Sequence, residues 1–178
     1  MSEFSESYHL RSERAEDAIE LLRRAKLKGY VFQPVNGWVT FVAEQGVFEP
    51  DQRIVTAATH PLLHYVSAED HEWSFALYED TKLVSGYRCS WDDEVTVDHS
   101  NYSRAALEQY VPLAQLAHLD ELERQLHPKD LDDHLGAEPS KLFAQVLGLE
   151  HFDWLSYDHM ARDFDSSPED HTDVAKVI

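Results

Sequence analysis

The sequence predicts an α+β fold, in which an N-terminal, mostly antiparallel sheet carries one long helix and the C-terminal third of the chain is helical. Three patterns indicate this class. Residues 15–25 repeat apolar side chains at helical spacing, and residues 30–43 and 73–89 each contain two β-prone runs around a turn signal. From residue 103 onward the apolar positions again recur at helical spacing.

The first elements follow the order strand–helix–strand–strand. Residues 5–11 indicate a short strand, and the helix behind it is expected to end at Gly29. Asn36-Gly37 is the strongest short signal for a hairpin, and a two-residue type I′ turn there places Phe32 opposite Phe41. This βαββ order is the start of a ferredoxin-like sheet.

The next elements extend the sheet. Residues 52–59 predict a short helix and residues 62–67 a strand. Residues 73–89 predict a second hairpin, whose apolar faces come together only if the loop has an odd length. A three-residue loop, which pairs Leu77 with Leu83, satisfies this condition.

The rest of the chain is predicted to be helical and then irregular. Residues 91–102 are polar and predict a loop. Helices are expected over 103–126, where Pro112 either kinks the helix or starts a second one, and over 128–135, 139–147 and 150–161. We therefore divide the chain into a sheet region (1–95), a helical region packed on the same core (96–163) and a mobile tail (164–178).

The net charge restricts the classes of partner. The chain has 34 acidic and 15 basic residues, which gives −19, and its two halves are about equally negative. Such a charge repels phosphate backbones and anionic lipids, so we expect neither nucleic-acid nor membrane binding. The charge is compatible with a solubilising surface, with adaptation to high salt, or with an acidic face for a basic partner.

The cellular location is predicted from what the sequence contains. No apolar run approaches the roughly 20 residues of a membrane span, and the first residues lack the apolar stretch of a signal peptide. Cys89 is the single cysteine. Together these features predict a cytoplasmic protein.

The familiar catalytic motifs are absent from the sequence. The 6 glycines form no phosphate-binding loop, and neither a nucleophile elbow nor an H-E-x-x-H motif occurs. His60 and His64 would lie about 13 Å apart along a strand, too far for one metal ion. Cys89 lies on a predicted inward face and is interpreted as core packing. We therefore predict no catalytic residues, no metal ligands and no cofactor.

Two acidic segments are expected to meet at the open end of the second hairpin, where its first strand begins and its second strand ends. Crowded carboxylates raise one another's pKa, which calls for a nearby cation: Arg88, a divalent ion or a basic partner. The alternative is two solvated loops whose carboxylates point apart. The residues of this candidate site are Glu69, Asp70, His71, Trp91, Asp92, Asp93 and Glu94.

A second candidate surface lies in residues 150–160, which carry more large apolar side chains than one helix face can bury. Asp153, Trp154 and Tyr157 are expected to remain partly exposed, and aromatic residues beside a carboxylate are typical of protein-binding faces. The alternative is that this helix is sandwiched between the sheet and the preceding helices.

The order of elements and the acidity resemble those of bacterial immunity proteins, which bind and neutralise a toxin. The net charge of −19, the acidic hairpin end, the aromatic residues of 150–160 and the absence of catalytic motifs predict a non-enzymatic interaction module of this kind, which binds a basic protein. Two alternatives stay open. The chain could be a hydrolase or lyase, with or without a divalent metal, in which Glu69, Asp70 and His71 face Asp92 or Asp93. It could also be an acidic housekeeping domain of a salt-adapted host. The sequence leaves the oligomeric state open.

Overall fold

The computed structural model describes residues 4–92 and 94–178, apart from the side chains of Leu135 and Pro168. Eight strands form one antiparallel sheet in the order β7-β6-β5-β4-β1-β3-β2-β8. The strands are β1 (Phe4–Arg11), β2 (Gly29–Phe32), β3 (Trp38–Ala43), β4 (Leu62–Ala68), β5 (Glu72–Glu79), β6 (Lys82–Ser90), β7 (Thr96–Asp98) and β8 (Val174–Val177). The α-helices are α1 (Ala15–Ala25), α2 (Gln52–Ala57), α3 (Arg104–Glu108), α4 (Leu116–Gln125), α5 (Leu131–Ala137), α6 (Pro139–Leu147) and α7 (Tyr157–Ser166).

The centre of the sheet has a ferredoxin-like arrangement. Strands β4-β1-β3-β2 are neighbours in that order, α1 connects β1 to β2, and α2 connects β3 to β4. The predicted α+β class, with its N-terminal strand–helix start and its helical C-terminal part, is confirmed. Strands β5 to β7 extend one edge of this unit, and β8 covers the other.

Helices cover both faces of the sheet. On the first face, α1 and α2 pack against β1, β3 and β4 through a core that includes Tyr8, Leu10 and Phe41. On the second face, α3, α4 and α6 pack against Trp38 and Tyr65, while α7 packs against the end of the sheet formed by β2 and β3. The central strands β2 and β3 are therefore buried on both sides.

The C-terminus of α1 differs from the prediction. The helix ends when Lys26, not Gly29, takes the left-handed conformation, at φ 59°. Gly29 instead starts β2, where a Cβ atom would lie 2.4 Å from the Val42 carbonyl oxygen. Glycine is therefore required here by the close approach of β3 rather than by helix termination.

The first hairpin has the predicted turn but a shifted register. Asn36 and Gly37 both have positive φ, and Val35 pairs with Trp38, as a type I′ turn requires. Further from the turn, Phe41 faces Val31 and not Phe32. The shift arises because residues 33 and 34 leave the ladder, where Pro34 has no N–H to donate.

The second hairpin brings its apolar faces together as predicted, but with a different turn and a different register. Its turn has two residues, Asp80 and Thr81, both with positive φ, so the expected three-residue loop is wrong. An irregularity beside Leu77 then shifts the register by one, and Leu77 faces Ser85 instead of Leu83. Leu83 is left 42% exposed.

Three C-terminal predictions are also corrected. The predicted loop 91–102 contains the edge strand β7, which pairs with β6. Residues 150–156 are not helical, because their backbone is tied to β1 and Ser156 caps α7, its Oγ accepting from His159 N–H. The expected mobile tail, residues 164–178, contains β8, which covers the open edge of β2. No helix in the described part of the chain has the length and apolar character that a membrane crossing requires.

Candidate functional site

The open end of the second hairpin joins the turn between β4 and β5 to the end of β6. Trp91 N–H donates to the carbonyl oxygen of His71 at 2.9 Å, and Trp91 Nε1–H donates to that of Glu69 at 3.3 Å. His71 Nδ1 lies 2.8 Å from Asp92 Oδ1. These contacts hold Glu69, His71, Trp91 and Asp92 together; Asp70 and Glu94 are exposed nearby in the chain. Asp93 lies outside the described residues.

Arg88, which the sequence offered as a local cation, pairs with one carboxylate at the start of β5, Glu72. Its guanidinium bonds Glu49 and Glu72 on the first face of the sheet, 2.5 Å from each. The Asp92 carboxylate pairs with His71. The pKa of His71 is raised because its ring bonds this carboxylate. That pair is exposed to solvent.

A cavity of about 320 Å³, here called the edge cavity, opens beside the hairpin end on the second face. It lies between β4 and β5 on one side and the start of α6 on the other. Its wall includes two candidates from the hairpin end, Glu69 and Trp91, and one from the second predicted surface, Asp153. The structure therefore joins parts of two sites that the sequence treats separately.

The inner wall of the edge cavity is aromatic. Trp91 packs on the His134 ring with centroids 4.6 Å apart, and His134 Nδ1 lies 3.9 Å from Cys89 Sγ. Burial lowers the pKa of His134 and raises the pKa of Cys89, so both groups are neutral near pH 7. This geometry makes Cys89 a buried packing group and not an activated thiolate.

Trp73 is a buried residue of this wall. It is 1% exposed and contacts the rings of Tyr87 and Phe143. Its Nε1–H has no hydrogen-bond partner within the described residues. Trp38, which is buried to a similar extent, donates its Nε1–H to the Leu147 carbonyl oxygen at 3.0 Å. Buried donors are nearly always paired, so Trp73 needs an explanation.

The rim of the edge cavity is predominantly acidic. Glu69, Glu138 and Asp153 are all exposed there. Lys141 is the basic residue of the wall, and its Nζ lies 2.7 Å from Glu138 Oε1. The rim thus has more carboxylates than basic groups, and it lies in water, where ionised carboxylates are stable.

The second predicted surface is not one surface. Asp153 lies at the edge cavity, while Trp154, at φ 51°, is 48% exposed and packs edge-on against His159. Tyr157 begins α7 and packs on Tyr30, 5.6 Å between ring centroids. The three residues are separated because residues 150–156 are not helical.

A second polar cavity, here called the first-face cavity, has about 230 Å³ and lies where α1 and α2 leave β4 to β6 uncovered. His64 lines it, and His64 Nε2 lies 3.2 Å from the Glu6 carboxylate. Both side chains are buried. The floor of this cavity is shallow over Ala76 and Gly86. In the sheet, Ala76 on β5 is paired with His64, and Gly86 on β6 is paired with Ala76.

The sequence does not indicate the Glu6–His64 pair. His64 was tested only for metal binding together with His60, and no pattern around Glu6 marks it as a site residue. The two residues meet because β1 pairs with β4 in a register that places Tyr8 opposite His64.

Among the described residues, no group of three His, Cys, Asp or Glu side chains could hold a metal ion. Comparisons with protein-family models, with curated proteins and with solved structures find no match for this chain.

Proposed function

We propose that this chain is a non-enzymatic interaction module that binds a basic protein through the hairpin end and the edge cavity. The observation that carries the proposal is the collection of exposed carboxylates from three separate segments around an aromatic-walled cavity. Aromatic side chains with adjoining charges are typical of the residues that dominate protein interfaces. The resemblance to immunity proteins makes a basic toxin one partner of this kind.

The charge distribution supports the same partner. Arg88 pairs with Glu49 and Glu72 on the first face of the sheet, so its charge does not face the edge cavity on the second face. A chain of net charge −19 also accelerates its encounter with a positively charged protein and repels nucleic acid. We place this interaction in the cytoplasm, in keeping with a single, buried thiol.

The test compares two charge-reversal variants of equal net charge. One carries Glu69→Lys, Asp70→Lys and Glu94→Lys at the hairpin end. The control carries Glu13→Lys, Glu16→Lys and Glu20→Lys, three exposed positions at α1 on the other face of the sheet. Tagged wild type and both variants are incubated with lysate of the native host, washed at low and high salt, and analysed by mass spectrometry.

We expect the wild type and the control to retain the same basic protein at stoichiometric amounts, and salt to release it. The hairpin-end variant should lose it. Equal retention by both variants would show that the hairpin end is not the binding surface. Retention of no basic protein, together with a stability that rises in molar salt, would favour the salt-adapted housekeeping alternative instead.

A second candidate function is carboxylate–histidine chemistry of the hydrolase or lyase class. The observation that favours it is the Glu6–His64 pair, which is buried beside the first-face cavity, whereas the pair at the hairpin end, His71–Asp92, is 60% and 70% exposed. A carboxylate that holds a histidine in one orientation is a general-base arrangement. Turnover of an ester, phosphoester or peptide substrate that His64→Gln abolishes would establish it; turnover unaffected by this change would exclude His64 from the chemistry.

A further inference from the structure

The loop between β3 and α2, residues 44–51, contacts the buried Glu6–His64 pair. Phe48 N–H donates to Glu6 Oε2 at 3.2 Å, while His64 Nε2 lies 3.2 Å from Glu6 Oε1. Gly46 approaches the same carboxylate so closely that a Cβ atom there would overlap it. The loop and His64 therefore hold the two oxygens of one carboxylate, and the loop is part of the enclosure of the pair.

Two cavities meet this loop at Phe48. His64 lines the first-face cavity, and Glu6 lines a cavity of about 350 Å³, here called the loop cavity. Phe48 lines both, and its ring packs edge-on against Phe4, with 5.7 Å between the centroids. Each cavity thus contains one member of the buried pair. A displacement of Phe48 would join the two cavities at that pair.

The loop is attached to the far side of the first-face cavity by an exposed ion pair. Glu49 bonds the Arg88 guanidinium at 2.5 Å, and the Glu49 side chain is 61% exposed. Arg88 also bonds the buried Glu72, so it stays in place when Glu49 leaves. Exposed ion pairs add little to stability, so this attachment opens without unfolding of the sheet.

The ends of the loop are fixed, while its middle is exposed and strained. Glu44 N–H donates to a carbonyl oxygen beside β2 at 3.0 Å, and Asp51 N–H donates to a tyrosine hydroxyl of β1 at 2.9 Å. Between them, Val47 is 72% exposed, and Gln45 and Phe48 have φ of 67° and 62°. A left-handed backbone at a bulky side chain costs free energy, and movement of the middle of the loop relieves this cost.

We propose that residues 45–50 form a lid, which encloses the Glu6–His64 pair when closed and, when open, joins the first-face cavity and the loop cavity into one binding site. The Glu49–Arg88 pair holds the lid closed. This inference rests on the proposed function in its second form, carboxylate–histidine chemistry, because it supplies the route by which a substrate reaches a buried pair.

The experiment measures how often His64 becomes accessible. The full chain is labelled with diethyl pyrocarbonate, which modifies unprotonated imidazole nitrogens, at pH 7, and each histidine is followed by mass spectrometry of its peptides. His9 is the reference for unfolding, because it is 0% exposed and packs near Tyr65 on the second face. His118, exposed on α4, reports the activity of the reagent. Each rate is divided by that of the same histidine in the urea-unfolded chain.

Two variants that open the lid have matched controls. Glu49→Gln removes the ion pair to the sheet. Its control, Glu20→Gln, removes an arginine–glutamate pair on α1 whose glutamate is 60% exposed. Gly46→Ala places a Cβ atom against the Glu6 carboxylate, whereas its control, Gly136→Ala, adds one where nothing lies within 4 Å.

We expect His64 to be less protected than His9 in the wild type, because the lid opens more often than the sheet unfolds. Glu49→Gln should raise the labelling rate of His64 about two- to fivefold, the range of an exposed ion pair. Gly46→Ala should also raise it. The rate of His9 should stay the same in both variants, and the two controls should label like the wild type.

Equal protection of His64 and His9 in the wild type would overturn the inference, because the pair would then be reached only by unfolding. So would an unchanged rate of His64 in both lid variants, or an equal rise in their controls. Labelling needs no substrate, so the two failures are distinguishable. If the lid opens but His64→Gln leaves turnover unaffected, the lid stands and the chemistry fails; if His64→Gln abolishes turnover but His64 is as protected as His9, only the lid fails.

Discussion

His9 makes the stability of this protein sensitive to acid in a way that can be measured. It lies on β1, is 0% exposed, and its two ring nitrogens bond Ser7 Oγ at 3.0 Å and Thr40 Oγ1 at 2.9 Å. Burial, followed by the nearby His151 and His64, lowers the pKa of His9 to about 3. The perturbation we propose is His9→Gln, which retains a donor and an acceptor but does not titrate.

The sign and size of the effect follow from linkage. In the unfolded chain His9 takes up a proton near pH 6.5, whereas in the folded chain it stays neutral until about pH 3. The unfolded state therefore binds more protons between these values, and stability falls as the pH falls from about 6.5 towards 3. From pH 7 to pH 5 this amounts to about 2 kcal/mol for one histidine.

The assay is urea unfolding of the wild type, His9→Gln and His118→Gln at pH 7, 6 and 5. His118 is an exposed histidine on α4 and serves as the control. We expect His9→Gln to be less stable than the wild type at pH 7, since the histidine ring also packs near Tyr65. From pH 7 to pH 5, its free energy of unfolding should fall by about 2 kcal/mol less than that of the wild type. If the free energy of unfolding falls by the same amount from pH 7 to pH 5 in the wild type and in His9→Gln, then His9 takes up its proton in the folded state. That result would refute the predicted effect of His9.

Three further predictions concern the partners of named groups. Trp38→Phe should destabilise the protein by about 1–3 kcal/mol more than Trp73→Phe in chemical unfolding, because only the first change leaves a buried carbonyl oxygen unpaired. Equal losses would contradict the unpaired state of the Trp73 N–H. Asp92→Asn should lower the pKa of His71 in an NMR titration, since this carboxylate is the main cause of its raised value; an unchanged pKa would mean that the pair does not form in solution. Deletion of residues 173–178 should destabilise the fold by at least about 1.5 kcal/mol, because it removes β8 and a valine that is 5% exposed, and unchanged stability would show that β8 adds nothing to the sheet.

The sequence predicts elements well where the signal is local. Asn36-Gly37 specifies its own turn, since both residues tolerate positive φ, and α6 spans the predicted residues 139–147, ended by Gly148 in the left-handed conformation. The register of the same hairpin is not local. It depends on how residues 33 and 34 leave the ladder between β2 and β3, which is decided by the packing of both strands.

Long-range contacts explain the helix that was predicted and is not formed. Residues 150–156 have a helical pattern of apolar side chains, but Leu155 exchanges hydrogen bonds with β1: its N–H donates to Ser5 Oγ, and its carbonyl oxygen accepts from Glu6 N–H. These bonds join positions about 150 apart in the chain. A single-sequence pattern reports local preference and has no access to such competition.

The candidate site shows the same division between local and distant information. Glu69 and Trp91 were predicted to meet because both flank one hairpin, and the pairing of its strands brings them together. The opposite wall of the edge cavity, with His134 and Glu138, comes from a part of the chain with no pairing to that hairpin, and packing of the helical layer on the second face places it there. Composition could therefore indicate an acidic surface, but only the packed structure shows that a cavity lies beside it.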